Sequence, residues 1–263
     1  MKISASYNYF NADEHLLASI KSIRSEIDHI SIVWQSISNS GEAISAHALN
    51  VLDQIERLNI VDEVLHFEAD LNLRRSENEL SKRSIGLEMA KRADATHFLS
   101  MDADEFYRKE ELRNARKLIE NHGYVSTSVG SYLHLKSPRW RALDTTCCCF
   151  ITEIAPESII GAQTFPHPNI DPTRKLSVFR DGHHHFDVDV VAMYHMNLVR
   201  RDLGQKLRNS STTDVEFLSR VALAVESWRP GEIFTFPNKG DIKIEEVGNE
   251  FLTFDPLGDD VHR

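Results

Sequence analysis

The sequence predicts an α/β protein: a mostly parallel sheet with helices on both faces, completed by an α+β second half packed on the same sheet. Three observations predict it. Strand-like and helix-like patterns alternate through residues 1–120, at roughly 30 residues per unit, the length of a right-handed βαβ crossover. After residue 120 short apolar runs take over, punctuated by Pro138, Pro156, Pro166, Pro168 and Pro172. The fourth apolar run ends directly in two carboxylates, and in parallel sheets ligands gather beyond the carboxyl ends of the strands.

Each element has its own justification. Residues 3–7 read as a short buried strand. Asn11 is placed to cap a helix, with Glu14 as the reciprocal member of a capping box. Leu16, Leu17, Ile20, Ile23 and Ile27 then follow at helical spacing. His29–Gln35 is β-branched and apolar, hence a second strand. Residues 43–58 read as a helix with Leu49, Leu52 and Ile55 on one side, and Glu63–Phe67 as a third strand. Residues 77–93 form a helix, and 96–101 a fourth strand that runs into Asp102, Ala103 and Asp104. Later strands are expected at 124–131, 147–154, 176–180 and 188–196, and a helix at 213–228. Residues 1–120 are thus one α/β half, 121–244 a second half of the same domain, and 245–263 a loosely held acidic tail.

Composition removes several function classes. A hydrophobic fraction of 41% and a charged fraction of 27% belong to a folded globular chain. The net charge of −10 favours neither a nucleic-acid partner nor broad adhesion to anionic lipid. No apolar run reaches the roughly 18 residues of a membrane helix. The N-terminus opens with a strand pattern rather than a signal peptide. The expected location is cytoplasmic, with peripheral association at the inner membrane left open.

Two runs invite a metal reading and resist it. Cys147, Cys148 and Cys149 alternate faces on a strand, so together they cannot present a tetrahedral zinc set. They read as small hydrophobes in a reducing compartment. Of His183, His184 and His185, at most two could share a metal, and a polar turn after Asp181 and Gly182 is the plainer reading. Trp140, between Arg139 and Arg141, fits either a sugar-stacking platform or the second-half core.

The carboxylate pair carries the chemistry. Asp102 and Asp104, two residues apart at a strand end, can straddle one cation, or one can bind it directly and the other through water. Hard oxygen ligands suit Mg²⁺ or Mn²⁺, which complete their shells with phosphate oxygens. The spacing itself is weak evidence, since Asp187 and Asp189 repeat it. Its place after the fourth strand gives it weight; the plain alternative is two solvated carboxylates capping a helix that starts near Arg108. Lys82 and Arg83, read as lying near the start of their helix, are not needed for its dipole and are candidate phosphate ligands.

The order Ser6-Tyr7-Asn8, then Lys82-Arg83, then HFLSMDADEFY resembles the nucleotide-binding half of GT-A glycosyltransferases, especially family-2-like bacterial enzymes. The resemblance covers about residues 1–110 and, in YHMNLVRRDLGQKLRN, about 190–210. It implies a sugar nucleotide as donor, UDP-sugars favoured, and a glycan or lipid-linked acceptor in bacterial surface polysaccharide synthesis. It also implies Mn²⁺ or Mg²⁺ on Asp102 and Asp104, with His195 as a third ligand. Ala103, Arg200, Arg201 and Lys206 would approach the diphosphate, and Ser6, Tyr7, Asn8, Gln35 and Asp70 the base and ribose. Tyr7 would stack on the base while Gln35 bonds its edge.

The catalytic base departs from the pattern. The family takes it from an acidic residue, often in a Glu-Asp pair, between the carboxylates and the histidine, and no such pair occurs there. Candidates are Asp171, first, then Glu153 and Asp187. Two other classes compete. A metal-dependent hydrolase or nucleotidyltransferase could use the same groups around a water, but a Gly-rich phosphate loop is missing. A non-catalytic sugar-nucleotide-binding module would explain the missing pair, while the intact carboxylates and His195 speak against it.

Overall fold

A computed structural model describes residues 1–167 and 170–258. Pro168 and residues 259–263, which figure in the readings above, lie outside the described residues. The elements in chain order are β1 (Ile3–Tyr9), α1 (Asp13–Ile23), β2 (His29–Gln35), α2 (Ala46–Leu58), β3 (Glu63–Phe67), α3 (Arg75–Arg92) and β4 (His97–Asp102). There follow β5 (Glu105–Phe106), α4 (Lys109–His122), β6 (Ser126–Leu135), β7 (Ser137–Glu153), β8 (His183–Phe186) and β9 (Met193–Leu198). The chain closes with α5 (Leu203–Arg208), α6 (Val215–Ser227), β10 (Phe234–Phe236), β11 (Gly240–Ile242) and β12 (Glu245–Glu246).

One sheet runs through the molecule in the order β3-β2-β1-β4-β7-β6-β9-β5, with β8 added to β6 and β12 to β7. The first four strands are parallel. This is the α/β sheet, parallel in its first half and flanked by helices, that the strand–helix rhythm predicts. Odd positions of β1 (Ile3, Ala5, Tyr7, Tyr9) sit in one core with Leu16 and Ile20 of α1, Leu52 and Ile55 of α2, and Leu112 and Ile119 of α4. The even position Ser6 faces α3, where a Cβ on Gly86 would lie 2.1 Å from Ser6 Oγ. A side chain at residue 86 would therefore push the helix off the sheet.

The two halves of the sheet meet at β4 and β7. Their antiparallel ladder pairs His97 with Glu153 and Phe98 with Thr152. The pairing stops there, so the carboxyl half of β4 has β1 alone as its ladder neighbour. On the far side, β5 pairs with β9, setting Glu105 opposite His195, and Met196 N donates to Asp104 O at 2.8 Å. That bond brings the second half onto the carboxylate pair.

Several expectations are corrected. Asn11 does not cap α1, whose N-cap is Ala12 without a side-chain bond; Asn11 Oδ1 instead accepts from Ser45 N, the N-cap of α2. The strand expected at 147–154 is the end of the 17-residue β7. Its amino half is only partly buried and carries Arg139, Arg141 and Asp144, which are balanced by Asp255, Glu245 and Lys239. Residues 176–180 make a single bridge, Ile160 to Leu176, rather than a strand. His183–Phe186 is a strand on β6, not a polar turn. The acidic segment is held along its described length: β12 pairs with β7, Glu250 chelates Arg108, and Phe251 packs on Phe106 and Tyr194. Trp140 packs edge-on against Trp228 at 5.8 Å in a cluster with Leu133 and Phe234, the core reading. No described helix is long and apolar enough to cross a membrane.

Candidate functional site

A cavity of about 290 Å³ opens beyond the carboxyl ends of β1, β2 and β4. The first half contributes Asn8, Phe10, Gln35, Lys82, Asp102, Ala103 and Asp104 to its wall, and the second half contributes Asp171, His195, Arg200 and Lys206. Asn8 and Asp102 are register neighbours on adjacent strands, so their meeting follows from the sheet itself. Hollows of about 750 and 570 Å³ lie elsewhere, one against α1 and the C-terminal segment, one by α5 and α6. Neither contains the carboxylate pair, and size alone does not make a site.

Every carboxylate at this strand end already faces a cation. Arg83 Nη2 reaches Asp102 Oδ1 at 2.9 Å and Glu79 at 2.7 Å, while Nη1 donates to Ser100 Oγ at 2.8 Å. Arg174, from the turn Pro172–Arg174, grips Glu105 with both terminal nitrogens at 2.6 and 2.9 Å and also reaches Asp102. Asp104 Oδ2 accepts from Arg200 Nη2 and from Lys206 Nζ at 3.1 Å, with His195 Nε2 at 3.6 Å. Burial by itself would raise the Asp102 carboxyl, but Arg174 and Arg83 override it and hold it well below the carboxylate range. Burial opposes ionisation of Asp104 too, and Lys206, Arg200 and His195 bring it far down. Both stay ionised at any physiological pH.

Lys82 is different. It is 6% exposed, and among the described residues no hydrogen bond or ion pair holds its ammonium. Burial lowers it to about 8, against the pull of Asp102 and Glu79. Gln35 is likewise buried at 2%; its Nε2 donates to Ile37 O and Asn39 Oδ1, which leaves Oε1 as a buried acceptor without a partner. The cavity therefore presents a desolvated cation and a buried acceptor without a partner, and both carry a cost.

The sequence candidates divide. Asn8, Gln35, Lys82, Asp102, Ala103, Asp104, Asp171, His195, Arg200 and Lys206 share the cavity. Tyr7 does not: it is fully buried under α1, with its hydroxyl on Ser19 Oγ, and cannot stack on a base. Phe10 is the aromatic side chain in the wall. Ser6 is spent against Gly86. Asp70 closes a local turn by accepting from Asn72 N and Nδ2. Arg83 sits mid-helix rather than near its start, buried behind Asp102. Arg201 turns outward to Asp13 and lies over Phe254. Glu153 pairs with His97 at the opposite end of β4, roughly 16 Å from Asp102 at about 3.3 Å per residue. Asp187, exposed, heads the turn to Val190 and Val191 outside the cavity. Asp171 lines it, with Oδ1 accepting from Thr173 N and Oγ1. Sequence reasoning passed over Glu105, although it adjoins the carboxylate pair, and Arg174, which nothing nearby in the sequence marks.

The donor set suits a hard divalent cation in chemistry, and partly in position. Asp104 and His195 are neighbours at 3.6 Å, and Asp104 Oδ1 carries none of the cation contacts. Asp102 is turned to its two arginines and does not close a three-ligand cluster with them. It would enter a metal shell through water or by releasing an arginine.

No family model matches the chain, and no curated protein matches it. Solved structures do. The chain is similar to S. aureus TarS 1–349 in complex with UDP, at 18% identity and TM-score 0.38, over 51% of this chain and 36% of that one. The complex of the same protein with UDP-GlcNAc gives 17% identity, TM-score 0.37, and coverage of 51% and 35%. The full TarS structure gives 18%, 0.34, and coverage of 52% and 22%. The matched part thus spans about a third or less of the length of these proteins.

Proposed function

We propose that this chain is a metal-assisted glycosyltransferase of the GT-A type. It takes a sugar from a nucleotide-diphosphate donor, UDP-sugars favoured, and passes it to a hydroxyl of a glycan or lipid-linked acceptor in surface polysaccharide synthesis. The observation that carries the reading is the meeting of Asn8, Gln35, Lys82, Asp102 and Asp104 with His195, Lys206 and Asp171 around one cavity at a parallel strand end. Gln35 Oε1 is an acceptor suited to the imide N–H of a uracil, and Phe10 offers a ring to stack against. Lys82 and Lys206 bring charge to the diphosphate oxygens.

Asp104 and His195, with Asp102 behind them, would hold Mn²⁺ or Mg²⁺, and the ion would supply Lewis-acid stabilisation of the departing diphosphate. Asp171 is the cavity carboxylate free to take the acceptor proton. The acceptor oxygen bonds to the anomeric carbon, the sugar–diphosphate bond breaks, and the nucleoside diphosphate leaves with the electron pair. One observation favours a metal-free variant of the same function: each carboxylate already has an arginine. The diphosphate would then be met by Lys82 and Lys206 alone.

Calorimetric titration with UDP in Mn²⁺ and in EDTA, beside turnover on a panel of nucleotide sugars, tests the reading. Mn²⁺-dependent binding, lost in Asp104→Ala and His195→Ala, is expected, together with nucleoside diphosphate release from at least one donor. Equal affinity in EDTA selects the metal-free variant. No release from any donor removes the transferase.

A further inference from the structure

The three adjacent cysteines and three adjacent histidines play no part in the cavity, yet the fold brings one of each together. On β7, Cys148 packs into the main core, while Cys147 and Cys149 face the other side of the sheet. On that side, β6 presents Ser128 opposite Cys149 and Gly130 opposite Cys147. β8 lies along β6 with Ser128 opposite His185. The segment between β7 and β8 folds back over this face through Phe165 and Ile170, which pack on Cys149, and so delivers His167.

From this we infer that Cys147, His167 and His185 form a binding site for a borderline-soft divalent cation of the zinc class. Their ligand atoms all lie within 4.8 Å of one another, a set found nowhere else among the described residues. With bonds of about 2.0–2.3 Å, the edges of a tetrahedral site measure roughly 3.3–3.8 Å, so side-chain adjustments of about an ångström close it. A thiolate and two imidazoles select zinc over magnesium or manganese.

The surroundings are those of a supported site. Ser128 Oγ engages His185 Nδ1 at 2.9 Å, which leaves Nε2 for the ion. His167 Nδ1 is buried with no partner, an orphan that a cation would satisfy. The His167 and His185 rings already stack at 5.2 Å. His183 is not a fourth ligand: its two nitrogens are taken by Ser126 and Ser128. The fourth position opens to solvent, since His185 is exposed. On binding, the Cys147 proton leaves to solvent and the sulfur–metal bond replaces it.

The site has a role that does not depend on which reaction the cavity performs. His167 stands four residues before Asp171, which lines the cavity, and seven before Arg174, which grips Asp102 and Glu105. A cation there fastens the segment that supplies both groups.

Metal-stripped protein titrated with Co²⁺, then Zn²⁺, tests the inference. One equivalent of Co²⁺ should give four-coordinate d–d bands and a thiolate charge-transfer band, both displaced by Zn²⁺. Cys147→Ser should abolish the charge-transfer band. His185→Gln should weaken binding by more than the roughly 10–100-fold that loss of a supporting hydrogen bond costs, and Ser128→Ala by about that amount. Cys148→Ala, on the opposite face, and Asp104→Asn, at the cavity, should leave the spectrum unchanged. Zn²⁺ should also protect Cys147 of the unaltered chain from alkylation, a readout that needs no variant to fold. A spectrum without a thiolate band, a band that survives Cys147→Ser, or alkylation unaffected by Zn²⁺ would each overturn the assignment.

Discussion

At the carboxyl end of β4 the charges are matched before any ligand arrives: Asp102 has Arg83 and Arg174, Glu105 has Arg174, and Asp104 has Arg200 and Lys206. Across the sheet, Cys147, His167 and His185 bring together donor atoms of side chains that are neutral as thiol and imidazole. In the first cluster Asp102 enters a metal shell through water or by releasing an arginine, and the second need only close. A compensated cluster can be preorganised without its ligand, because the opposite charges offset much of a desolvation cost that an unpaired buried charge would carry in full. An uncompensated neutral cluster is tolerable without its ligand because thiol and imidazole carry no charge to strand.

The largest effect should come from breaking the compensation. Arg174→Met strands Glu105, which is 1% exposed, and should cost about 3–5 kcal/mol in urea unfolding. A loss under about 1 kcal/mol would mean that the pairing is incidental to the fold.

Lys82 is the exception within the first cluster, a buried cation with no bonded partner among the described residues, and it should respond in the opposite sense. Its folded value near 8 lies below the unfolded 10.5. Between these values the unfolded chain binds more protons, so stability rises with pH across that window, and below it the buried charge weakens the fold. Lys82→Met should therefore gain roughly 1–3 kcal/mol at neutral pH, with the gain fading as pH passes from about 8 to 10.5. UDP affinity of the unaltered chain should fall as pH rises through about 8, and that step should vanish in the variant. A pH-independent affinity would remove Lys82 from the phosphate site.

The smallest effect belongs to the same ion-pair chemistry at the surface. Glu250→Gln loosens the pair with Arg108, about a third exposed on both sides, and should cost under about 1 kcal/mol in the same unfolding measurement. A larger loss would show that the C-terminal segment is an integral part of the sheet edge.

The parallel half was legible because its short strand patterns alternate with amphipathic helices at the spacing of a βαβ crossover. The carboxylate pair was legible as the place where the fourth strand, buried from Phe98 to Met101, ends. Tyr7 was misread as a ligand although the period of two that places Ile3 and Ala5 in the core places Tyr7 there too. β7 was half-hidden, since its charged positions find partners more than ninety residues away in Lys239, Glu245 and Asp255. Arg174 was illegible for that reason as well: what makes it part of the site is a fold that returns it to residues about seventy positions earlier. Cys147 and His185 read as parts of local runs, and it is strand register that brings them to one face, where the segment before β8 adds His167.

Gly86 has a further consequence. Lys82 lies four residues before it, about 6 Å along the axis, and Arg83 lies beside Lys82 on the same helix. The contact with Ser6 therefore works as a bearing that sets how deep both cations ride. The voltage at the cavity floor is fixed by a mechanical clearance the width of one methyl group, at a residue that carries no charge and touches no ligand.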